Sequence, residues 1–176
     1  VTVNNRLKRD FFTRDVLDVA PGLLTRIIAI KYGDGDIKRY IITETEAYRG
    51  IEDKACHASK GRTARTEVMY NEGGYLYVYL VYGIHWMLNV VAGKENEPQA
   101  ALIRGLNECS GPGRVTKTLG IDRSFYGEDL TGSNRIWIED SGIEPDYLTS
   151  ERIGIDYAGD YWKGLPWRFF LPSVKI

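Results

Sequence analysis

Residues 73–93, GGYLYVYLVYGIHWMLNVVAG, decide how this chain is read. They form 21 residues without Asp, Glu, Lys or Arg, long enough to cross a bilayer as a helix. The composition argues otherwise. Tyr75, Tyr77, Tyr79 and Tyr82 crowd one half, Gly83 interrupts the middle, and His85 and Asn89 lie within. Tyr75-Leu-Tyr-Val-Tyr79 also alternates with period two, the period of a strand rather than a helix. The segment therefore predicts two buried strands that meet near Tyr82-Gly83, and no membrane span.

Reading outward, most of the chain has the same character. Ile27–Tyr32 and Ile37–Ala47 are rich in β-formers and flank Gly33-Asp-Gly-Asp36, where Asp34-Gly35 signals a hairpin. Gln99–Leu106 predicts another strand, and Arg135–Glu139, Ile153–Tyr157 and Trp167–Leu171 predict three late ones. Residues 10–20 predict a short helix capped by Thr13 and ended by Pro21-Gly22, and Pro112–Leu119 opens another. Residues 50–70 are polar and irregular. Strands outnumber helices with no β-helix-β alternation, so the expectation is a single α+β domain, 1–176, built on a mostly antiparallel sheet.

Composition sets outer bounds. The 176 residues carry 23 Lys+Arg against 24 Asp+Glu, which excludes a uniformly basic nucleic-acid binder. The charge is unevenly spread, however. Lys54, Lys60, Arg62 and Arg65 occupy 54–66 without an acid, whereas residues 135–160 hold seven acids against two arginines. Cys56 and Cys109 form no C-x-x-C pair and suit free thiols. With His57 and His85 the only histidines, no metal-ligand spacing exists. No apolar stretch behind Arg6, Lys8 and Arg9 suggests a signal peptide.

Within this frame a few residues carry chemistry. Thr43-Glu-Thr-Glu-Ala-Tyr48 places Glu44 and Glu46 on one face of a strand about 7 Å apart, a spacing that suits an inverting sugar hydrolase and equally a solvated strand edge. Tyr48 shares that face. The tyrosine strand is harder to explain as packing alone, because each buried Tyr needs a partner for its hydroxyl. Beside a basic loop it reads as a platform for nucleobases, worth about 1–3 kcal/mol per stacked base. Asn89, amid Trp86-Met-Leu-Asn-Val-Val91, must satisfy its amide in the core or turn it into a pocket.

Seven stretches go further: TETEAYRG (43–50), DKACHASKGRT (53–63), EVMYNEGGYLYVYLVYGIHWMLNVV (67–91), ALIRGL (101–106), CSGPGRVTKTLGI (109–121), RIGIDYAG (152–159) and PWRFF (166–170). In colinear order they resemble the alkyladenine (3-methyladenine) DNA glycosylase family, monofunctional base-excision enzymes of mixed α/β fold. The resemblance implies a curved sheet with flanking helices and a protruding β-hairpin. It implies that Glu46 is the general base, with Arg104 positioning the water and a neighbouring phosphate. Tyr48, His57 and Tyr79 would sandwich a flipped base, and Asn89 would guard the floor against the 2-amino group of guanine. Tyr82, flanked by Ile84, would wedge into the minor groove, and Lys54, Lys60, Arg62 and Arg65 would meet the DNA backbone. The chain departs from the family's usual Pro, Asn and Met at Ala64, Thr66 and Ile84, positions that bear on backbone contacts and the flank of the wedge.

The implied substrates are 3-methyladenine and 7-methylguanine, with hypoxanthine and ethenoadenine as neutral candidates. The implied partner is damaged double-stranded DNA, bound by a monomer without cofactor, in nucleoid-associated cytoplasm or in a nucleus. The chemistry is coherent. A base inside a duplex must be extruded, at a few kcal/mol of unstacking, and an inserted side chain replaces part of the lost stack. An N-alkylated purine is cationic, is attracted to tyrosine faces, and leaves with little help from an acid. Two other classes compete: a non-catalytic nucleic-acid module using the tyrosine hairpin, and a sugar hydrolase using Glu44 and Glu46. In either DNA-binding reading, the acids after residue 135 are expected on the face turned away from DNA.

Overall fold

The computed structural model describes residues 5–173. Its spine is β2 (Ile37–Arg49), a 13-residue strand whose two ends do different jobs. The first part pairs antiparallel with β1 (Ile27–Lys31), which in turn pairs with β7 (Ile136–Glu139). The second part pairs with β5 (Gln99–Leu106) on one edge and with β9 (Arg168–Phe170) on the other. Next come β4 (His85–Ala92) and, at the edge, β3 (Leu76–Val81), giving the order β3-β4-β5-β2-β1-β7. The short strands β6 (Cys109–Ser110) and β8 (Leu148–Ser150) pair with β5 and β9. All described pairs are antiparallel, as the expected α+β architecture requires.

The centre of the sheet is covered on both sides. Val90, Ala92, Ala101 and Ile103 belong to the main core with Val16, Val19 and Ala20 of one helix and Val115 and Leu119 of another. The first of these helices, α2 (Val16–Gly22), lies against β2 and β5, and the second, α3 (Pro112–Leu119), against β4 and β5. Segment 50–70, polar in sequence, supplies the other cover. Its Cys56, Ala58, Val68 and Met69 are buried against Tyr77, Val91 and Ala100, on two 3-10 turns at His57–Lys60 and Glu67–Tyr70.

Two sequence expectations change. Residues 10–20 form two helices, α1 (Arg9–Phe12) and α2, because the chain between them is used elsewhere. The carbonyls of Phe12 and Arg14 accept from Gly93 N–H, while Asp15, not Thr13, caps α2 by accepting from Leu17 N–H. Pro21-Gly22 lies in the last turn of α2 rather than beyond it. The expected strand at Ile153–Tyr157 is absent. Gly154 adopts φ +76°, a 3-10 turn spans Asp156–Ala158, and Ile155 and Ala158 are buried against Ala55. A last helical turn, α4 (Asp160–Lys163), follows. Among the described residues no helix is long and apolar enough to cross a membrane.

Candidate active site

The site begins with an irregularity in the spine. The register of β2 against β5 shifts on either side of Glu44, so the strand bulges there. The facing residue is Gly105, whose missing side chain leaves room: a Cβ would fall 2.8 Å from Thr43 Oγ1 and 3.1 Å from Glu44 Cβ. Beside it Arg104 reaches both carboxylates. Its Nε donates to Glu44 Oε1 at 3.1 Å, and its Nη1 lies 2.8 Å from Glu46 Oε1. Glu44 also accepts from Arg168 Nη1 at 3.0 Å. Two guanidiniums clamp Glu44, so it serves to hold Arg104.

Glu46 is different. It is completely buried, and Oε2 accepts from the Tyr48 hydroxyl at 3.0 Å and from Ile153 N–H at 3.3 Å. Oε1 faces Arg104 outside hydrogen-bonding direction and has no other partner, which leaves its lone pairs for one more donor. Burial pushes the carboxyl above its usual 4.5, and Arg104 and the two donors pull only part of the way back. Burial and the Glu46 charge raise Tyr48 well above 10, so its hydroxyl keeps its proton.

A cavity of about 410 Å³ opens over this point, within the range of about 300–1,000 Å³ usual for small-molecule sites. Tyr48, Arg104 and Ile153 line it, and Glu46 lies directly beneath them. Another wall is aromatic. His57 and Tyr79 meet edge to face, with ring centroids 4.7 Å apart, and His57 Nδ1 is 2.8 Å from the Tyr77 hydroxyl. Nothing flat fits between His57 and Tyr79. They form one wall, and a base sandwiched in the cavity would have Tyr48 as the other. Burial, with Arg65 and Lys60 nearby, lowers His57 to about 4, so its ring is neutral at physiological pH. Asn89 is buried in the lining and donates from Nδ2 to the Tyr77 carbonyl at 3.2 Å.

At the far end of β3 the cavity runs out to the hairpin tip. Val81 and His85 are paired, with Tyr82-Gly83-Ile84 between them. Tyr82 and Gly83 both have positive φ, +53° and +68°. Gly83 takes this freely, but for a bulky side chain it costs about 1 kcal/mol. Tyr82 recovers none of that by packing, since it is 91% exposed, and Ile84 is 72% exposed. Tyr82 thus stands strained and open to solvent at the tip.

The family model described as Methylpurine-DNA glycosylase (MPG) matches residues 10–109 and 105–175. The chain belongs to the methylpurine-DNA glycosylase family. A protein of Desulfitobacterium hafniense named "Putative 3-methyladenine DNA glycosylase" is 41% identical over 198 residues, 97% of each chain. Relatives with the same name occur in Psychrobacter cryohalolentis, 41% identical over 90% of this chain and 88% of the relative, and in Borrelia garinii, 41% identical over 97% and 98%.

With the family established, the remaining expected contacts of the glycosylase separate. Arg62 donates to both oxygens of Glu67, at 2.9 and 2.6 Å, so an acid one residue beyond the basic run neutralises it. Lys54 and Lys60 are exposed and outside the cavity lining, whereas Arg65 is part of it. Ile84 borders a second groove, shared with Pro112 and Arg114 of α3. Thr66 is buried, its Oγ1 accepting from Thr63 N–H and donating to the Gly61 carbonyl, so this departure from the family pattern braces the loop.

Sequence reasoning passed over two groups. Tyr77, two residues before Tyr79 and so on its face, holds the imidazole. Ile153 and Tyr157 line the cavity, so the acidic stretch after 135 does not simply face away from the site. The tip yields a direct test. Tyr82→Asn creates Asn-Gly, the pair favoured where both turn residues have positive φ. It should raise stability by about 1 kcal/mol in thermal unfolding while sharply weakening binding to lesion-bearing duplex. A loss of stability would show that Tyr82 supports the hairpin rather than a partner.

Proposed function

We propose that this glycosylase hydrolyses the N-glycosidic bond of alkylated purines, 3-methyladenine and 7-methylguanine foremost, after flipping the base from duplex DNA. The observation that carries the reading is Glu46: a buried carboxylate with one unfilled oxygen, under an aromatic cavity whose lining, among the described residues, contains no lysine. A water held between Glu46 and Arg104 attacks C1′ and gives its proton to Glu46. The C1′–N bond breaks with its electron pair moving to the base, and an abasic sugar remains. Arg104 steadies the water, and Tyr82 fills the gap in the stack.

The titratable groups favour a cationic leaving group. His57, lowered to about 4, has no spare proton at neutral pH, and Tyr79, raised by burial to about 12, releases none readily. A base that already carries positive charge departs neutral and needs no acid. Hypoxanthine and ethenoadenine, being neutral, should be slower substrates. Asn89 stands at the floor where a 2-amino group would have to enter. The protein acts as a monomer wherever DNA is kept, in nucleoid-associated cytoplasm or a nucleus.

Glu44, gripped by two arginines, is unsuited to the paired-carboxylate work of a sugar hydrolase. Borohydride trapping on methylated duplex DNA separates the proposed hydrolysis from lyase chemistry. The expected result is abasic sites with no covalent protein–DNA complex. A trapped complex with strand cleavage would require an amine nucleophile and overturn the reading.

A further inference from the structure

We propose that Arg65 is a gate on the base cavity. In the free protein its guanidinium occupies the face of Tyr79 needed by an entering base, and it gives up that face when a DNA phosphate takes over the cation. The inference rests on the glycosylase reading above and adds a specificity that the reading does not contain: the cavity rejects lesions presented outside DNA.

Three observations converge on Arg65. Its guanidinium carbon lies 4.9 Å from the centroid of the Tyr79 ring, over its face, and both residues line the cavity. Among the described residues no carboxylate lies within ion-pair distance of it, whereas Arg62, three residues earlier, is held by Glu67. Finally, its backbone is fixed, while its guanidinium is held by uncharged groups, the Tyr79 face and the Tyr77 hydroxyl. The Tyr126 hydroxyl donates to the carbonyls of Ala64 and Arg65, at 3.2 and 3.0 Å, and Thr66 ties the same turn to Gly61 and Thr63. The residue itself is exposed. The guanidinium can therefore leave the cavity by rotating its side chain, with no loop movement.

The strengths involved suit a gate. Tyr79 is half-buried, so a cation over its face is worth at least the roughly two- to fivefold change in an equilibrium constant seen at exposed sites. An arginine–phosphate contact is charge-assisted, commonly bidentate and stronger. DNA therefore withdraws Arg65 readily, while a free base has to displace it. A cationic base is opposed twice, since it competes for the same π face and is repelled by the charge already there.

The test uses nucleosides and duplex on the same proteins. Binding of 1,N6-ethenoadenosine, a neutral fluorescent probe, and of N7-methylguanosine, kept cationic below neutral pH, is measured without DNA for wild type, Arg65→Gln and Arg65→Lys. Arg65→Gln should bind the neutral nucleoside roughly two- to fivefold more tightly and the cationic one on the order of tenfold more tightly. It should bind lesion-bearing duplex more weakly, with a log–log salt slope reduced by about 0.9. Arg65→Lys, which keeps the charge but not the flat guanidinium, should recover duplex binding while its affinity for the neutral nucleoside stays above wild type. Opposite signs on nucleoside and duplex are what a merely structural residue would not give. Nucleoside affinities that are unchanged, weaker, or undetectable in all three proteins would overturn the gate. Base excision by wild type is scored separately: its absence defeats the glycosylase reading, and its presence with unchanged nucleoside binding defeats the gate alone.

Discussion

Glu46→Gln should abolish most base excision and yet melt at a higher temperature than wild type. General-base catalysis contributes about 10²–10⁴-fold, so the variant should lose roughly 3–5 kcal/mol of transition-state stabilisation. The gain in stability follows from linkage. Because burial raises the folded-state carboxyl above 4.5, the folded protein retains the proton over a range in which the unfolded chain has released it. The contribution to stability is thus full below about pH 4.5 and is lost as pH rises through the higher folded value. At neutral pH the wild type carries the whole cost of an ionised, buried carboxylate. Glutamine removes the charge but keeps the shape, and Glu44 still holds Arg104. Thermal unfolding should show the variant ahead at neutral pH, with the difference closing toward pH 4. In the wild type the single-turnover rate on a cationic lesion should rise with pH around the raised value, with no acid-requiring fall beyond it. A bell-shaped profile would mean that a second, acidic group takes part.

Asp53→Ala should be the most destabilising change near the site, at about 3–5 kcal/mol, because it leaves a buried guanidinium without its counter-charge. Asp53 and Arg152 are fully buried, with contacts of 2.6 and 3.0 Å. The carboxylate also accepts from Arg49 and Ala55 N–H, both at 3.0 Å, so two backbone donors lose their partner as well. By contrast, breaking the exposed pair Arg39–Glu139 should cost about 1 kcal/mol or less. The loss also reaches the cavity. Arg152 lies between the rings of Tyr48 and Trp167, 4.9 and 5.0 Å from their centroids, and donates to the Ala47 carbonyl. It thereby joins β2, the loop that begins at Asp53 and the segment that carries Ile153. Urea unfolding measures the effect, and a loss below about 1 kcal/mol would show that the pair is not structural.

What the sequence disclosed and what it withheld follow physical lines. Period-two alternation in 75–79 and the charge-free run to Gly93 were legible because each strand is buried in a pattern its own residues encode. The same holds for Glu46 and Tyr48, which share a face by strand periodicity in the regular part of β2. Residues 153–157 misled because Ile-Gly-Ile mimics a strand, whereas the buried Arg152–Asp53 pair, 99 residues apart in sequence, bends the segment over the cavity. No local pattern predicts such a partner. The acid that cancels Arg62 is Glu67, one residue past the basic run, and sequence alone does not show that the two side chains meet. The division of labour between the two glutamates was likewise invisible, since it depends on Arg104 and Arg168 arriving from two other strands.

The central claim is that Glu46 activates the water that frees an alkylated purine. It is tested most directly by single-turnover release of 3-methyladenine from methylated duplex DNA, comparing wild type with Glu46→Gln shown to be folded by its melting curve. The account predicts equal amounts of free base and abasic sites from the wild type, and a rate at least about a hundredfold lower in the variant. A variant that releases the base at the wild-type rate would contradict it.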